Sequence, residues 1–297
     1  MEKAHTSRFV VGAAQLGLKY GVANRKGKPN ADLTKKILAA AWRGGARVID
    51  TAQAYGESET AIREALDALP QCRFSIITKL SPSLDIGTEA SITAALDASF
   101  RALGRKPMAI LLHNARWLKH WEGPIGNVLR AAKEKGLVES LGVSVYEPQE
   151  FAAAIDNSEM EYIQAPFNVL DRRLETTGLL ERAREGGRKI YLRSLFLQGL
   201  LTMDLDQVSS NLEYAKPLLS EWCSICDSWG LSRQEVAVRL VLGAAPDAKL
   251  VIGCETESQV IENQKYCVRE PLPPALLNAL RALPTGSEML INPSKWS

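Results

Sequence analysis

Short apolar runs, rich in β-branched residues, recur along the whole chain and alternate with longer stretches whose apolar residues follow helical spacing. Continuous apolar runs of this length are typical of strands that are buried on both faces. Eight such runs occur, at Phe9–Gly12, Arg47–Asp50, Phe74–Lys79, Ala109–His113, Ser140–Ser144, Tyr162–Ala165, Lys189–Ser194 and Leu250–Gly253. The helical stretches between them include Asp32–Arg43, Ser58–Leu69, Glu89–Leu103, Gly126–Lys135, Pro148–Ile155, Gly178–Glu185 and Leu231–Leu242. The alternation predicts a parallel sheet covered by helices.

Eight strand–helix units can form an open doubly wound sheet or a closed (β/α)₈ barrel, and two observations favour closure. No strand leads directly into a GxGxxG turn, and polar residues occupy the carboxyl ends of many strands. These are Asp50, Lys79, His113, Ser144, Gln164 and Arg193. In a barrel those ends surround one mouth, where the active site is built. We therefore predict an α/β fold of the TIM-barrel class, and since no linker-like tract divides the chain, one domain over residues 1–297.

The composition indicates which classes of binding partner this protein has. Hydrophobic residues make up 46% of the chain and charged residues 24%, which are ordinary globular values. The net charge of +2 gives no electrostatic sign of nucleic acid or an anionic membrane. No apolar run approaches the ~20 residues of a membrane span, and the polar N-terminus is unlike a signal peptide. We expect a cytoplasmic protein with a small-molecule substrate, and the sequence leaves its oligomeric state open.

The cysteines are five in number and scattered, which favours a reducing compartment over a disulfide framework. Cys223 and Cys226 form a CxxC pair inside a predicted helix, and no second Cys or Cys/His pair stands at zinc-site spacing. Residues three apart share a helix face. We therefore expect two small buried hydrophobes here, and no metal site.

Three connections between predicted elements are long enough to be functional, and in a barrel all three would overhang the mouth. They span Leu16–Asn30, Asn114–Pro124 and Phe196–Ser209. Their aromatic residues suit a mostly apolar substrate pocket, and the alternative is that each loop packs on its own aromatics. The candidate substrate residues are Tyr20, Trp117 and Trp121, with Phe196 in the third loop.

The candidate chemistry is concentrated in four residues. Asp50, Lys79 and His113 end the second, third and fourth predicted strands, and Tyr55 lies in the loop after the second. Singly, each has an ordinary structural explanation, such as a helix cap, a surface charge or a buried core histidine. Consecutive barrel strands would bring all four to one side of the mouth.

Such a cluster is suited to moving one proton at an oxygen atom. A phenol with a pKa of about 10 is a poor acid at neutral pH, and a neighbouring ammonium favours the phenolate and lowers that pKa. Lys79 can supply the ammonium, and Asp50 can hold it protonated as an ion pair. His113 can orient the same carbonyl oxygen by a hydrogen bond. The sequence thus predicts a general acid or base, and a second component must complete the reaction.

The pattern VIDTAQAYG, followed by ITK and then LLH, resembles the catalytic tetrad of the aldo-keto reductase family. The resemblance extends from VVGAAQLG at the first strand to VIGCETESQVIEN at the last strand and its helix. It implies an NAD(P)H-dependent enzyme that reduces aldehydes or ketones, sugar-derived ones included, to alcohols. It makes Asp50, Tyr55, Lys79 and His113 catalytic, with Tyr55 as the proton donor and the hydride taken from nicotinamide.

The same resemblance implies a cofactor site. It assigns Ser144 and Gln164 to the nicotinamide carboxamide, the first strand end and the loop after the seventh strand to the body of the cofactor, and the segment after the eighth strand to adenosine. The residues so assigned are Gly12, Ala13, Ser144, Gln164, Arg193, Ser194, Gln198, Gly199, Gly253, Cys254, Thr256, Gln259, Glu262 and Asn263. Thr256 and Gln259 also fit a capping box at the start of the last barrel helix.

Three departures from the family pattern bear on the cofactor. Val145 stands where the family usually has Asn, and Arg193 stands where an aromatic residue commonly stacks on nicotinamide. We expect the planar Arg193 guanidinium to replace that stack, or else to bind an acidic substrate or a loop carboxylate. Between Val251 and Gln264 no Lys or Arg is available for a 2′-phosphate. We therefore expect only a small preference for NADP(H), with NAD(H) also accepted.

Two other functions are compatible with the residues. A strand-end lysine in a barrel can form a Schiff base when it is desolvated, which would make the protein an aldolase that acts through Lys79. A non-catalytic, nucleotide-sensing subunit could be built on the same barrel. Pairing with Asp50 speaks against the first of these, and a complete tetrad speaks against the second.

Overall fold

The structure, a computed structural model, describes residues 7–296 and contains a closed barrel of parallel strands. Each strand pairs with the next along the chain, and the last pairs with the first, with Phe9 opposite Leu250 and Gly12 opposite Gly253. The strands are β1 (Phe9–Gly12), β2 (Val48–Asp50), β3 (Ser75–Lys79), β4 (Ala109–Leu112), β5 (Ser140–Ser144), β6 (Tyr162–Pro166), β7 (Lys189–Arg193) and β8 (Lys249–Gly253). The predicted barrel is confirmed, and the strand boundaries agree with the prediction at ten of the sixteen ends and differ by one residue at the other six.

Helices fill the connections on the outside of the barrel. Among the described residues they are α1 (Ala14–Gly17), α2 (Ala31–Arg43), α3 (Ser58–Asp67), α4 (Glu89–Leu103), α5 (Pro124–Glu134), α6 (Pro148–Asp156), α7 (Arg173–Thr176), α8 (Leu179–Glu185), α9 (Lys216–Ser228), α10 (Arg233–Ala244), α11 (Glu257–Tyr266), α12 (Pro274–Ala282) and α13 (Glu288–Ile291). Side-chain caps explain where several of them begin, because the side chains of Asn30, Thr88 and Ser232 accept hydrogen bonds from the backbone of the first turn. No helix within residues 7–296 has the length and apolar character that a membrane span needs.

The barrel interior is closed at the end opposite the mouth. Val10, Ile77, Leu111, Tyr162 and Tyr191 are buried there together, and the two tyrosine rings lie 5.3 Å apart. Strand residues of the alternate parity face the helices and form the larger outer core. The polar side chains at the mouth therefore pack on a filled apolar barrel interior.

A second apolar cluster lies beside the barrel and supports the loop that follows β7. Leu197, Leu200 and Leu201 of that loop pack with residues of α9, α10, α12 and α13. The buried Trp222 side chain donates a hydrogen bond to the Leu201 carbonyl at 2.8 Å. The helices added after the barrel thus hold this loop in place over the mouth.

The CxxC pair belongs to the same cluster. Cys226 is buried and Cys223 is half-buried on α9, and both are free thiols. Burial raises the pKa of Cys226 to about 12, so the thiol is uncharged at neutral pH. This agrees with the predicted role of two small hydrophobes on one helix face.

Candidate active site

A buried ion pair forms the floor of the mouth. Lys79 Nζ donates to Asp50 Oδ2 at 2.7 Å, to the Thr51 carbonyl at 2.9 Å and to Tyr55 Oη at 3.5 Å. The Lys79 side chain is 0% exposed. The pair forms because β2 and β3 are neighbours in the barrel and both end at this level. A buried ammonium with three acceptors is stable in its charged form only while those acceptors stay in place.

The loop that carries Tyr55 is tied to the end of β1. Ser58 Oγ donates to the Ala13 carbonyl at 2.8 Å, and its hydroxyl also bonds that of Thr51 at 2.8 Å. At Gly17 a Cβ atom would stand 1.8 Å from the Tyr55 carbonyl oxygen, so glycine is required for this close approach. The tyrosine ring is therefore fixed by contacts with two neighbouring loops.

His113 follows β4 and completes the group of four. Its ring meets the Tyr55 ring edge to face, with centroids 5.7 Å apart and an interplanar angle of 86°. Its Nδ1 atom is buried and has no hydrogen-bond partner among residues 7–296. The structure thus brings together all four residues that the sequence singled out.

The electrostatics of the group correct one expectation. Burial, and then the Asp50 carboxylate, raise the pKa of Tyr55 well above its ordinary value, whereas the sequence suggested that Lys79 would lower it. Burial is the larger cause, because it disfavours the charged phenolate. Burial together with the charges of Lys79 and Arg193 lowers the pKa of His113 to about 3. At neutral pH the site therefore presents a protonated phenol and an uncharged imidazole.

The same geometry disfavours a Schiff-base role for Lys79. Burial lowers its pKa, but the charge of Asp50 and its hydrogen bond oppose that shift. All three N–H bonds of the ammonium are directed at acceptors, and the side chain has no exposed surface. A nucleophilic amine needs a free lone pair and access to the carbonyl carbon, and this lysine has neither.

An elongated cleft extends from Asp50 and Tyr55 along the end of β1 to the start of α11. Most of the residues assigned to cofactor and substrate by the sequence line it. They are Gly12, Ala13, Tyr20, Arg193, Ser194, Gln198, Gly199, Gly253, Gln259, Glu262 and Asn263. Glu255 lines it as well, and so do Gln15, Ala23, Thr202 and Gln234, which were not singled out by the sequence.

Two loops meet above this cleft, residues 18–30 after α1 and residues 194–202 after β7, and together they are called the strap below. The Val22 amide donates to the Gln198 carbonyl at 3.0 Å. Gly199 has a φ of +94°, and a Cβ there would lie 2.5 Å from the Ala23 Cβ. Ser194, Leu197 and Gln198 also have positive φ although none is glycine. Such backbone is sparsely populated, and the apolar cluster behind the loop holds it in this form.

Four of the assigned cofactor residues do not line the cleft. Gln164 is buried beside the tetrad and donates through Nε2 to Asp50 Oδ1 at 2.7 Å, and Ser144 Oγ lies 3.5 Å from Gln164 Oε1. Cys254 is buried behind the cleft, 3.5 Å from Asn263 Nδ2. Thr256 is the N-cap of α11 and accepts from the Gln259 amide.

The predicted capping box at Thr256 forms with one difference. The Gln259 side chain accepts a hydrogen bond from the Glu255 amide at 2.6 Å, one residue before the N-cap that was expected. The second hydrogen bond of the capping box is thus shifted by one residue toward the N-terminus.

Trp117 and Trp121 are placed away from the cleft, which corrects their assignment to the substrate pocket. Trp117 lies in a 3₁₀ helix, Ala115–His120, and both rings belong to the outer core. Trp121 bonds Glu159 through Nε1 and stacks with Arg130, whose guanidinium is 5.2 Å from the ring centroid. The loop packs on its own aromatics, which was the alternative reading of the sequence.

Arg193 and Tyr146 form a second feature of the mouth. The Arg193 guanidinium lies 4.2 Å from the Tyr146 ring centroid, and its Nη2 and Nη1 atoms donate to the Val145 carbonyl and to Ser194 Oγ, each at 3.2 Å. Tyr146 was missed by the sequence analysis. Its place two residues beyond the carboxyl end of β5 is the signal that could have identified it.

The far end of the cleft is acidic. Glu255 and Glu262 line it, and burial raises the pKa of Glu255 while the charge of Lys26 opposes the shift. Lys26 follows a turn in which the buried Asn24 side chain accepts from the amides of Lys26 and Gly27. This lysine belongs to the first loop, so a search confined to the last strand and helix could not find it.

Comparisons with known proteins agree with this geometry. The model of the aldo/keto reductase family matches residues 8–284. The NADH-specific methylglyoxal reductase of Escherichia coli (strain K12) is 25% identical over 279 residues, which cover 79% of this chain and 83% of that protein. A D-threo-aldose 1-dehydrogenase of a Pseudomonas species is 24% identical over 96% of this chain and 100% of its own length.

Among solved structures, a Bombyx mori aldo-keto reductase in complex with NADP superimposes with a TM-score of 0.70 at 17% identity. The match covers 97% of this chain and 92% of that one, and it supports the fold. The family match extends over most of the chain and includes the strands that carry the four clustered residues. This chain belongs to the aldo/keto reductase family and is an oxidoreductase that reduces carbonyl groups with a nicotinamide cofactor.

Proposed function

We propose that Tyr55 donates the proton to the carbonyl oxygen of an aldehyde or ketone, and that Asp50, Lys79 and His113 prepare it to do so. The observation that carries this proposal is the contact of 3.5 Å between the buried Lys79 ammonium and the Tyr55 hydroxyl. A protonated phenol at the cleft floor is the acid that reduction requires, and a positioned acid contributes roughly 10²–10⁴ in rate.

The neighbours of Tyr55 have separable tasks. As the proton leaves, negative charge develops on the phenol oxygen, and the ammonium of Lys79 stabilises it. Asp50 keeps that ammonium charged. His113 has a pKa of about 3, so it is uncharged and donates a hydrogen bond to the carbonyl oxygen without competing as the acid.

The cleft has features that fit a nicotinamide nucleotide. When bound, the nicotinamide supplies the hydride, and this chain holds the nucleotide mainly by backbone. Gly12 and Gly253 stand side by side at the barrel rim, and a Cβ at Gly12 would lie 3.1 Å from the Gly253 nitrogen. Close backbone approach of this kind is what a bound pyrophosphate or ring requires. We assign the strap and these glycines to the cofactor, and Ser144 and Gln164 to its carboxamide.

For the cofactor preference we propose a small advantage of NADP(H) over NAD(H). Lys26 supplies a cation at the acidic end of the cleft, and the N-terminus of α11 adds backbone N–H groups. Glu255 opposes a 2′-phosphate there. The names of related proteins point both ways, since one is NADH-specific and another is bound to NADP. A single cation opposed by Glu255 and Glu262 gives little discrimination between the two cofactors.

The proposed role of Tyr55 is tested by Tyr55→Phe, with Tyr214→Phe on an exposed helical segment as the matched control. In the first variant, reduction of an aldehyde panel should fall by about 100-fold or more, because only the acid is lost. Cofactor dissociation constants, measured by fluorescence titration, should stay within twofold. Turnover close to that of the wild type would refute the assignment. A wild type that binds cofactor and reduces no member of the panel would instead indicate the nucleotide-sensing role.

A further inference from the structure

Among the residues that the structure describes, the Arg193 guanidinium in the mouth has no acidic partner. Arg193 lines the cleft with Tyr20 and Tyr55, and its two donated hydrogen bonds end on neutral oxygen atoms. Within residues 7–296 no carboxylate lies within ion-pair distance of it. A guanidinium has five N–H donors, so three are left for a ligand.

The carboxylates near Arg193 are already engaged. Asp50 accepts from Lys79 through one oxygen and from Gln164 through the other. Asp171 and Glu147 both accept from Arg173, at 2.8 Å and 2.7 Å. Each of these acids is therefore hydrogen-bonded to a cation other than Arg193, with Asp171 and Glu147 sharing Arg173. The catalytic end of the cleft contains Asp50, Lys79 and Arg193, and so carries one excess positive charge.

Arg193 is also held firmly in its position. The Tyr146 ring covers one face of the guanidinium, and the Tyr146 carbonyl in turn accepts from Arg173 at 3.2 Å. Cation–π contact of this kind orients an arginine without neutralising it. The charge of Arg193 acts at the catalytic end, where it opposes the rise that burial gives to the pKa of Tyr55 and Tyr20 and adds to the lowering of the pKa of His113 by burial.

We propose that Arg193 binds a carboxylate of the substrate, so that the preferred substrates are carbonyl compounds that carry a carboxylate group. This rests on the proposed function, since it concerns the same cleft and the same carbonyl reduction. A planar carboxylate accepts two parallel hydrogen bonds from a guanidinium. It would supply the charge that the mouth lacks and would leave Tyr55 free to face the carbonyl oxygen.

The experiment compares substrates that differ in charge and little in shape. Glyoxylate is matched with methylglyoxal, and 4-carboxybenzaldehyde with 4-nitrobenzaldehyde, which tests two separations between the carbonyl and the charge. Values of kcat/KM are measured for the wild type, Arg193→Met and Arg193→Lys. Arg182→Met is the control, because it removes the same charge from an exposed ion pair with Asp156, outside the cleft.

In Arg193→Met, kcat/KM of the anionic member of at least one pair should fall about 10- to 100-fold further than that of its neutral partner, the range expected for a charged hydrogen bond. Taking the ratio across variants cancels the intrinsic reactivity of each aldehyde. Arg193→Lys should restore part of the difference. In the wild type, KM of the anion should rise with salt, and Arg182→Met should keep the wild-type ratio.

A readout that does not depend on turnover is the binding of terephthalate, a non-reducible dicarboxylate, measured by calorimetry with cofactor present. Binding that is lost in Arg193→Met supports the inference. Equal losses for anionic and neutral substrates, together with weaker NADH and NADPH binding, would overturn it and assign Arg193 to the cofactor. A wild type that reduces nothing would refute the proposed function, while the calorimetry would still decide whether Arg193 binds a carboxylate.

Discussion

The two ends of the cleft are built on different principles. At the catalytic end, Asp50 and Lys79 are buried on adjacent strands, and each polar atom of the pair has a partner. At the other end, Glu255 and Lys26 lie on separate loops, and their charges interact without a direct hydrogen bond. At the first end, the side chains are fixed by these contacts, and burial determines the pKa values of the groups. The second is partly solvated, so we expect single charges there to adjust cofactor choice at little cost to the fold.

The largest expected difference concerns stability. Asp50→Asn leaves the Lys79 ammonium buried without its counter-charge, so the free energy of unfolding should fall by about 3–5 kcal/mol. Denaturant unfolding followed by circular dichroism measures this. Glu255→Gln is the counterpart at the other end and should hardly change the midpoint. A loss below about 1 kcal/mol for Asp50→Asn is what a solvent-exposed ion pair would give, and it would contradict the buried pair described above.

The second expected effect is on the pH dependence at the catalytic end. Burial raises the pKa of Tyr55, so the phenol keeps its proton through neutral pH and up to its ordinary pKa of about 10. The reduction rate should therefore be flat over that range, and alcohol oxidation, which needs the phenolate, should rise about tenfold per pH unit. His113 adds no step near its ordinary pKa of 6.5 because its pKa is lowered to about 3.

Single-turnover rates at pH 6 to 10 measure both directions. A decline of reduction with a midpoint near pH 8 would show that the ammonium lowers the pKa of Tyr55 after all. Lys79→Met provides the comparison, since the charge that stabilises the phenolate is then absent and oxidation should suffer more than reduction.

The smallest effects are expected at the acidic end of the cleft. Glu255→Lys should raise the ratio of NADH to NADPH dissociation constants by about tenfold, because a repulsive carboxylate becomes a cation beside the 2′-phosphate. Lys26→Ala should lower the same ratio by a few-fold. Fluorescence titration with each cofactor measures the ratio, and Arg25→Ala on the same loop is the control. An unchanged ratio in both variants would place the phosphate elsewhere.

Much of the fold and of the catalytic group could be predicted because both follow from strand order. In a barrel of consecutive parallel strands, residues that end neighbouring strands must meet at one rim, so RVID, SIITK and AILLH were sufficient to bring Asp50, Lys79 and His113 together. Tyr55 required one further condition, a loop short enough to return to the same rim.

Loop residues could not be predicted in this way. Trp117 and Tyr146 both follow strand ends and are both aromatic, yet the first is buried in the outer core and the second stacks on Arg193 at the mouth. The local sequence does not distinguish the two positions, because each is an aromatic residue in a loop that follows a strand. The direction of each side chain depends on which helices pack against its loop.

By itself, the sequence determined the barrel, the order of its strands and the four residues at the catalytic end, because hydrophobic periodicity and chain order constrain these directly. The tertiary structure alone decided three further points. It showed that burial and the Asp50 carboxylate raise the pKa of Tyr55, that the charge of Lys26 in the first loop acts on Glu255 after the last strand, and that Arg193 has no acidic partner within residues 7–296. The physical reason is that charge balance and burial depend on distances between residues far apart in the chain, and those distances exist only once the barrel has closed.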